Sequence, residues 1–167
     1  MPTSSNQIVV DTAPLISLDA CDQIDILRQL YSHVVVPRAV DRELSVGGNT
    51  ALPNGLTLAH RKWIRVRTLR SAPSRSLLAA LDRGEAEVIT LALQIGCPLV
   101  LLDEPRGRDV AREMGLQCVG TLGLLLRAKN DGLLDAIRPS IDLMRSKDIW
   151  LGESLIESVL RQAKEIS

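Results

Sequence analysis

Two apolar runs in this chain stop at an aspartate: Ile-Val-Val ends at Asp11, and Leu-Val-Leu-Leu ends at Asp103. A polar residue directly after a buried strand stands where open α/β sheets gather their ligands, beyond the carboxyl ends of the strands. If the two strands are neighbours, the two carboxylates meet at one edge of the sheet. Carboxylates without His or Cys make a hard-oxygen site, suited to Mg²⁺ or Mn²⁺ rather than zinc. Singly, each aspartate also reads as a turn or cap residue, because Asp11 precedes a helix opened by Pro14 and Asp103 stands just before Pro105. Paired, they favour a site.

Further acids stand on helical patterns. In Arg38-Ala-Val-Asp-Arg-Glu-Leu44, the spacing puts Ala39, Val40, Glu43 and Leu44 on one helix face and turns Asp41 toward solvent. A carboxylate beside a buried stripe is costly unless a cation or an arginine meets it, or unless its head reaches water. In Leu81-Asp-Arg-Gly-Glu-Ala-Glu-Val-Ile-Thr-Leu-Ala92, Asp82 and Glu85 match a capping box. Glu85 also shares a face with Ile89 and Ala92, the face expected to meet the sheet, whereas Glu87 is rotated away. Glu85 is therefore the better candidate ligand. Competing chemistries have no signature: His33 and His60 lie near no Ser or Cys motif, and neither G-x-x-x-x-G-K-[ST] nor G-x-G-x-x-G occurs. Gly120-Thr-Leu-Gly123 could hold an anion on exposed amides or simply start a helix with Thr121 as its cap.

These residues need a scaffold, and the periodicity supplies one. Apolar β-branched runs at 7–10, 33–36, 99–102 and 117–119, with an imperfectly alternating stretch at 63–67, alternate with helical patterns. The helices are expected at Pro37–Leu44, Ala72–Leu81, Glu85–Ile95, Pro105–Met114, Leu122–Asn130, Leu133–Arg145 and Glu153–Glu165, with a short one opened by Pro14 and another capped by Asp22. Ser45 to Asn54, with Gly47-Gly48 and Pro53, reads as a loop. Strands that are apolar throughout describe a parallel sheet covered on both faces, a three-layer α/β/α sandwich. The expectation is one domain over residues 1–167, since 46% hydrophobic residues supply a core and no linker or repeat interrupts the pattern.

Composition excludes several classes. No apolar run approaches the ~20 residues that span a bilayer, and MPTSSNQIVV lacks a basic region followed by a long apolar one, so a cytoplasmic protein that does not engage a membrane is expected. Cys21, Cys97 and Cys118 stand far apart, as reduced buried thiols would. Trp63, Trp150 and Tyr31 are the only aromatics, too few for a base-stacking platform. The net charge of zero conceals a segregation. Between Leu44 and Leu81 there is no acid, while Arg61, Lys62, Arg65, Arg67, Arg70 and Arg75 make the stretch basic. Arginine forks suit bidentate phosphate contacts, although a solvated face is the plainer reading of any charge run.

Taken in order, Ile-Val-Val-Asp11-Thr-Ala-Pro-Leu-Ile16, Val-Pro-Arg-Ala-Val-Asp-Arg-Glu43-Leu, Leu-Asp-Arg-Gly-Glu85-Ala-Glu-Val-Ile-Thr-Leu-Ala92, Leu-Leu-Asp103 and Val-Gly-Thr-Leu-Gly-Leu-Leu125 resemble the PIN domain. They are most similar to a prokaryotic branch of predicted nucleic-acid-binding proteins. The resemblance runs from about Ile8 to the C-terminal helix. It implies the fold of metal-dependent nucleases, with Asp11, Glu43, Glu85 and Asp103 as both catalytic residues and ligands of Mg²⁺ or Mn²⁺. It implies RNA as substrate, a homodimer, and, for the many relatives that are toxins of toxin–antitoxin pairs, a cognate antitoxin. The third acid is Glu where many relatives carry Asp, and Leu101 occupies a position where a small hydroxyl residue is common. Glu104 adds a carboxylate beside Asp103. The activity expected is a divalent-metal-dependent endoribonuclease, with Arg61, Lys62, Arg65 and Arg67 guiding the phosphate backbone. The alternative is a catalytically idle RNA-binding or protein-interaction module that keeps the acids as helix caps.

Overall fold

Five short strands form one parallel sheet among the described residues of the computed structural model, which are 6–46 and 56–167. The strands are β1 (Gln7–Val10), β2 (His33–Pro37), β3 (Ile64–Arg67), β4 (Leu99–Leu101) and β5 (Gln117–Val119), in the order β3-β2-β1-β4-β5. The central strand is the most apolar: Ile8, Val9 and Val10 are fully buried, paired to β2 through Ile8↔Val34 and to β4 through Val10↔Leu101. A strand buried on both faces has no polar side to present, which is why these runs lack alternation. Only β3, at an edge, alternates, with Ile64 buried and Arg65 and Arg67 exposed.

The helices are α1 (Thr12–Ala20), α2 (Ile26–Leu30), α3 (Arg38–Val46), α4 (Arg75–Ala80), α5 (Arg83–Ile95), α6 (Pro105–Glu113), α7 (Thr121–Asn130), α8 (Arg138–Ser146) and α9 (Glu153–Gln162). One group, α4, α5 and α6, covers the sheet with α5 lying across β1, β2 and β4, while α1 packs with α7 and α8 and α9 packs on α7. The architecture is the expected α/β sandwich. Helix α3 leaves the carboxyl end of β2 and touches α1 and α5 alike, so it bridges the two groups above the sheet edge. The chain leaves β1 toward β2 but leaves β4 toward β5, on the opposite side. The carboxyl ends of β1 and β4 thus flank the topological switch point, the crevice that this class of sheet uses for ligands.

Several element boundaries differ from the sequence expectation, each for a local reason. Asp22 does not cap a helix. It sits at φ 58° in the left-handed region, and Asp25 precedes the one-turn α2 instead. Helix α3 continues through Ser45 and Val46, and the rest of the expected loop, 47–54, lies outside the described residues. Helix α5 opens at Arg83, two residues before the expected Glu85, the break from α4 falling at Leu81 and Asp82. Helix α8 starts at Arg138 rather than Leu133, its first amides held by Glu165 from beyond α9, with Ile137 N–H to Oε1 at 2.7 Å and Arg138 N–H to Oε2 at 3.0 Å. Helix α9 packs Ile156, Val159 and Leu160 on the core and leaves Leu155 44% exposed. No helix among the described residues is long and apolar enough to cross a membrane.

Candidate active site

Asp11 occupies the N-cap position of α1, yet its side chain makes no capping hydrogen bond. Its backbone is tied to the neighbouring strand instead, the Asp11 amide donating to the Leu101 carbonyl at 3.2 Å. The carboxylate is left at the switch point, only 9% exposed. Burial pushes its pKa up to about 7; the Thr12 amide opposes that rise, and the charges of Asp82, Glu85 and Glu43 add to it. A carboxylate with so little compensation is poised for a cation.

Glu43 is exposed on α3 and is fixed by a threonine, whose Oγ1 (Thr12) donates to Glu43 Oε2 at 2.7 Å. Its other oxygen, Oε1, turns toward Gly84 at the start of α5. A Cβ built on Gly84 lies 2.7 Å from Glu43 Oε1, 3.3 Å from Asp82 Oδ1 and 3.4 Å from Asp11 Oδ1. Three carboxylate oxygens from three elements therefore surround one point, and the missing side chain of a glycine is what keeps it open.

Asp82 and Glu85 form the capping box that their spacing predicts: Glu85 N–H donates to Asp82 Oδ1 at 2.8 Å and Asp82 N–H to Glu85 Oε2 at 3.3 Å. Glu85 is 5% exposed. Burial raises its pKa, with Asp82 and Glu104 contributing repulsion. Its free oxygen faces α6, 2.8 Å from where a Cβ on Gly107 would stand, so a second glycine makes room for a second carboxylate.

Asp103 is held differently. Thr121 donates to it twice, from N–H to Oδ1 and from Oγ1 to Oδ2, both at 2.7 Å. Gly120, not Thr121, is the N-cap of α7, and Asp103 does the capping from across the sheet edge. A Cβ on Gly120 would lie 3.2 Å from Asp103 Oδ1 and 2.9 Å from Arg108 Nη1, so an arginine from α6 shares this corner, its buried Nε without a hydrogen-bond partner.

Asp11 and Glu43 thus come together, joined by Asp82, with Glu85 coupled to the group by charge. Asp103 stands at the end of the adjacent strand, bound by Thr121. Two participants escaped the sequence reading. Asp82 reads as a cap and is one, but its oxygen also faces the cradle, and the pointer was Gly84 inside the capping box. Thr12 follows Asp11 directly, and nothing local pairs it with Glu43, 31 residues away. Glu87, expected to face away, is buried: its Oε2 accepts from Ala39 N–H at 3.3 Å and its Oε1 pairs with Arg83 Nε at 3.1 Å, locking α5 to the start of α3.

The donor chemistry fits a hard divalent cation: oxygen ligands only, gathered at a partly desolvated point that a side chain would fill. Among the described residues no group of three or more His, Cys, Asp or Glu side chains stands as a ready ligand shell, and Glu43, Asp82 and Asp103 each accept a hydrogen bond from the protein.

Of the basic residues, Arg61 is engaged inside the protein, its Nη2 2.8 Å from Asp19 Oδ1. Lys62, Arg65 and Arg67 are exposed, the last two on the same side of β3, opposite Val35 and Pro37 in register. Strand β3 is two strands from β1, about 10 Å at the usual spacing.

The sequence matches the family model described as the PIN domain over residues 7–165, nearly its whole length, and the chain belongs to that family. PIN domains have a nuclease-type fold, are generally nucleases and typically use divalent metals. No curated protein matches the chain.

Proposed function

We propose that this chain is a divalent-metal-dependent endoribonuclease whose acidic edge, Asp11, Glu43, Glu85 and Asp103 with Asp82 added, holds Mg²⁺ or Mn²⁺. The observation that carries the reading is the convergence of Asp11, Glu43 and Asp82 oxygens on the space at Gly84, beside the switch point of the sheet. A bound cation supplies Lewis-acid stabilisation of phosphoryl charge and an activated water at neutral pH. The protein's own part is preorganisation. Thr12 orients Glu43, Thr121 fixes Asp103, and the capping box sets the angle of Asp82 and Glu85 on a rigid helix. Arg65, Arg67 and Lys62 steer the RNA backbone, and Arg61, through Asp19, braces the segment that leads into β3.

The test is cleavage of an end-labelled single-stranded RNA by the parent and by Asp11→Asn, in EDTA and in millimolar Mn²⁺. Cleavage by the parent in Mn²⁺ only, lost in the variant, supports the reading; a parent inert in Mn²⁺ overturns it. One set of contacts favours a second reading, the idle binding module. Asp103 has both oxygens bound by Thr121, and Asp82 and Glu85 cap α5, so these acids already have structural work. RNA binding without metal affinity or cleavage would establish that module. A homodimer and a cognate antitoxin belong to the first reading. Light scattering at high micromolar concentration tests the dimer, a monomer mass counting against it. A short DNA-binding protein encoded next to this chain, relieving its toxicity on co-expression, is the finding that would establish the toxin role.

A further inference from the structure

Beside the acidic edge lies a cleft of the opposite charge. It has a volume of about 250 Å³ and is lined by Arg38, Arg42, Arg83 and Glu87, with residues 68–73, Arg70 among them, as one wall. Its construction is specific. Gln94 of α5 pins the wall, accepting from Arg70 N–H at 2.7 Å and donating to the Ser71 carbonyl and hydroxyl, both at 3.0 Å. The single carboxylate inside, Glu87, has both oxygens engaged, one by the Ala39 amide and one by Arg83. Arg38, Arg42 and Arg70 are exposed and enter no ion pair among the described residues.

We propose that this cleft binds a backbone phosphate of the RNA next to the one that reaches the acidic edge; the inference rests on the nuclease reading and names the path by which the strand arrives. Two helices carry both features. On α3, Arg42 precedes Glu43, and on α5, Arg83 precedes Gly84, whose missing Cβ lies 2.7 Å from Glu43 Oε1. A strand with one phosphate at the carboxylates is a polyanion, and the arginine cleft is the adjoining place where its next charge is stabilised rather than repelled. Four arginines lining one hollow, three of them in no ion pair among the described residues, give it the planar forks that suit phosphate, where a single exposed cation would offer only a point of attraction. The wall at 68–73 continues directly from β3, the edge strand that carries Arg65 and Arg67, so the cleft and that stretch belong to one chain segment.

The experiment measures anisotropy of a labelled single-stranded RNA against salt concentration, in EDTA so that nothing is cleaved. It compares the parent, the Arg38→Ala/Arg70→Ala pair and the Arg38→Lys/Arg70→Lys pair. The alanine pair is expected to weaken binding roughly tenfold or more and to lower the log–log salt slope by about 0.7, the value for one phosphate contact on a single strand. The lysine pair should keep the slope and lose part of the affinity, since charge is retained and the fork is not. Melting temperatures should match the parent, because these side chains are exposed. An alanine pair with the parent's affinity and slope overturns the proposal, as does a parent that does not bind RNA. Loss of polyglutamate binding with RNA binding intact also overturns it, assigning the cleft to an acidic protein. A parent that binds through these arginines yet never cleaves in Mn²⁺ leaves the cleft standing and removes the nuclease reading, so the two fail separately.

Discussion

Two carboxylates of this chain, Asp11 and Glu165, show what a partner does to a buried charge. Glu165 lies near the C-terminus with its side chain only 11% exposed. Burial works against its charge, but the Ile137 amide, the Lys129 ammonium at 2.9 Å and the Arg138 amide outweigh it, and the pKa falls below the usual carboxylate range. Asp11 is the more deeply buried of the two, has the Thr12 amide as compensation and faces three other acids, and its pKa rises to about 7. The first arrangement stabilises the fold. The second costs stability in the isolated protein, and such a cost persists where a site needs charge in reserve for a ligand.

The largest expected effect comes from removing the strained charge. Asp11→Asn should reduce Mn²⁺-dependent RNA cleavage at least ~100-fold, since a ligand to a catalytic ion contributes several kcal/mol to the transition state. The same variant should melt higher than the parent in EDTA at pH 8, by roughly 5–10 °C for a recovery of a few kcal/mol. The sign follows from linkage. The folded state of the parent holds the Asp11 proton more tightly than the unfolded state does. The penalty is therefore absent below about pH 4, grows between pH 4 and 7, and is complete above the folded pKa of about 7. At pH 4 parent and variant should melt together, and a variant that melts no higher than the parent at pH 8 breaks the contrast with Glu165.

Glu165→Ala probes the other side. Losing the acceptor for two amides and an ammonium should destabilise by about 3 kcal/mol in calorimetry. Here the stabilisation is present at neutral pH and fades as pH falls through the carboxylate range, because the folded pKa is the lower one. A loss that is unchanged between pH 7 and pH 3 would contradict that assignment.

Asp103 falls between the two, bound by donors yet placed at the end of β4. Asp103→Asn keeps one acceptor for Thr121 and should cost about 1 kcal/mol in EDTA. On the proposed reading, millimolar Mn²⁺ should raise the parent's melting temperature more than the variant's, because an ion bound only by the folded, intact site stabilises the parent. Equal shifts in the two proteins would place Asp103 with Glu165, as a structural acid. The smallest effect is expected at the sheet edge. Arg65→Ala/Arg67→Ala should lower the salt slope of RNA binding by up to about 1.4 without moving stability, and an unchanged slope would take β3 out of the RNA path.

The strands at 7–10, 33–37 and 99–101 were legible because a run buried on both faces must be apolar throughout, and that is a property of local sequence. The capping box at Asp82 and Glu85 was legible for the same reason, its partners being three residues apart. The start of α8 was not, because Glu165 holds its amides from 28 residues away.

By itself the sequence determined the alternation of strands and helices, the placement of Asp11 and Asp103 at strand ends and the concentration of arginine in one stretch, since each follows from periodicity and side-chain chemistry within a few residues. Only the tertiary structure decided which charges are compensated. Glu43 meets Thr12 and the space at Gly84, Arg61 is drawn inward to Asp19, and Glu87 locks two helices, in each case through partners between 31 and 48 residues apart or, for Gly84, through the absence of a side chain. The energy of a carboxylate depends on its burial and on the donors and charges within a few ångströms of it. Those neighbours are set by the order of strands in the sheet, which no local pattern encodes.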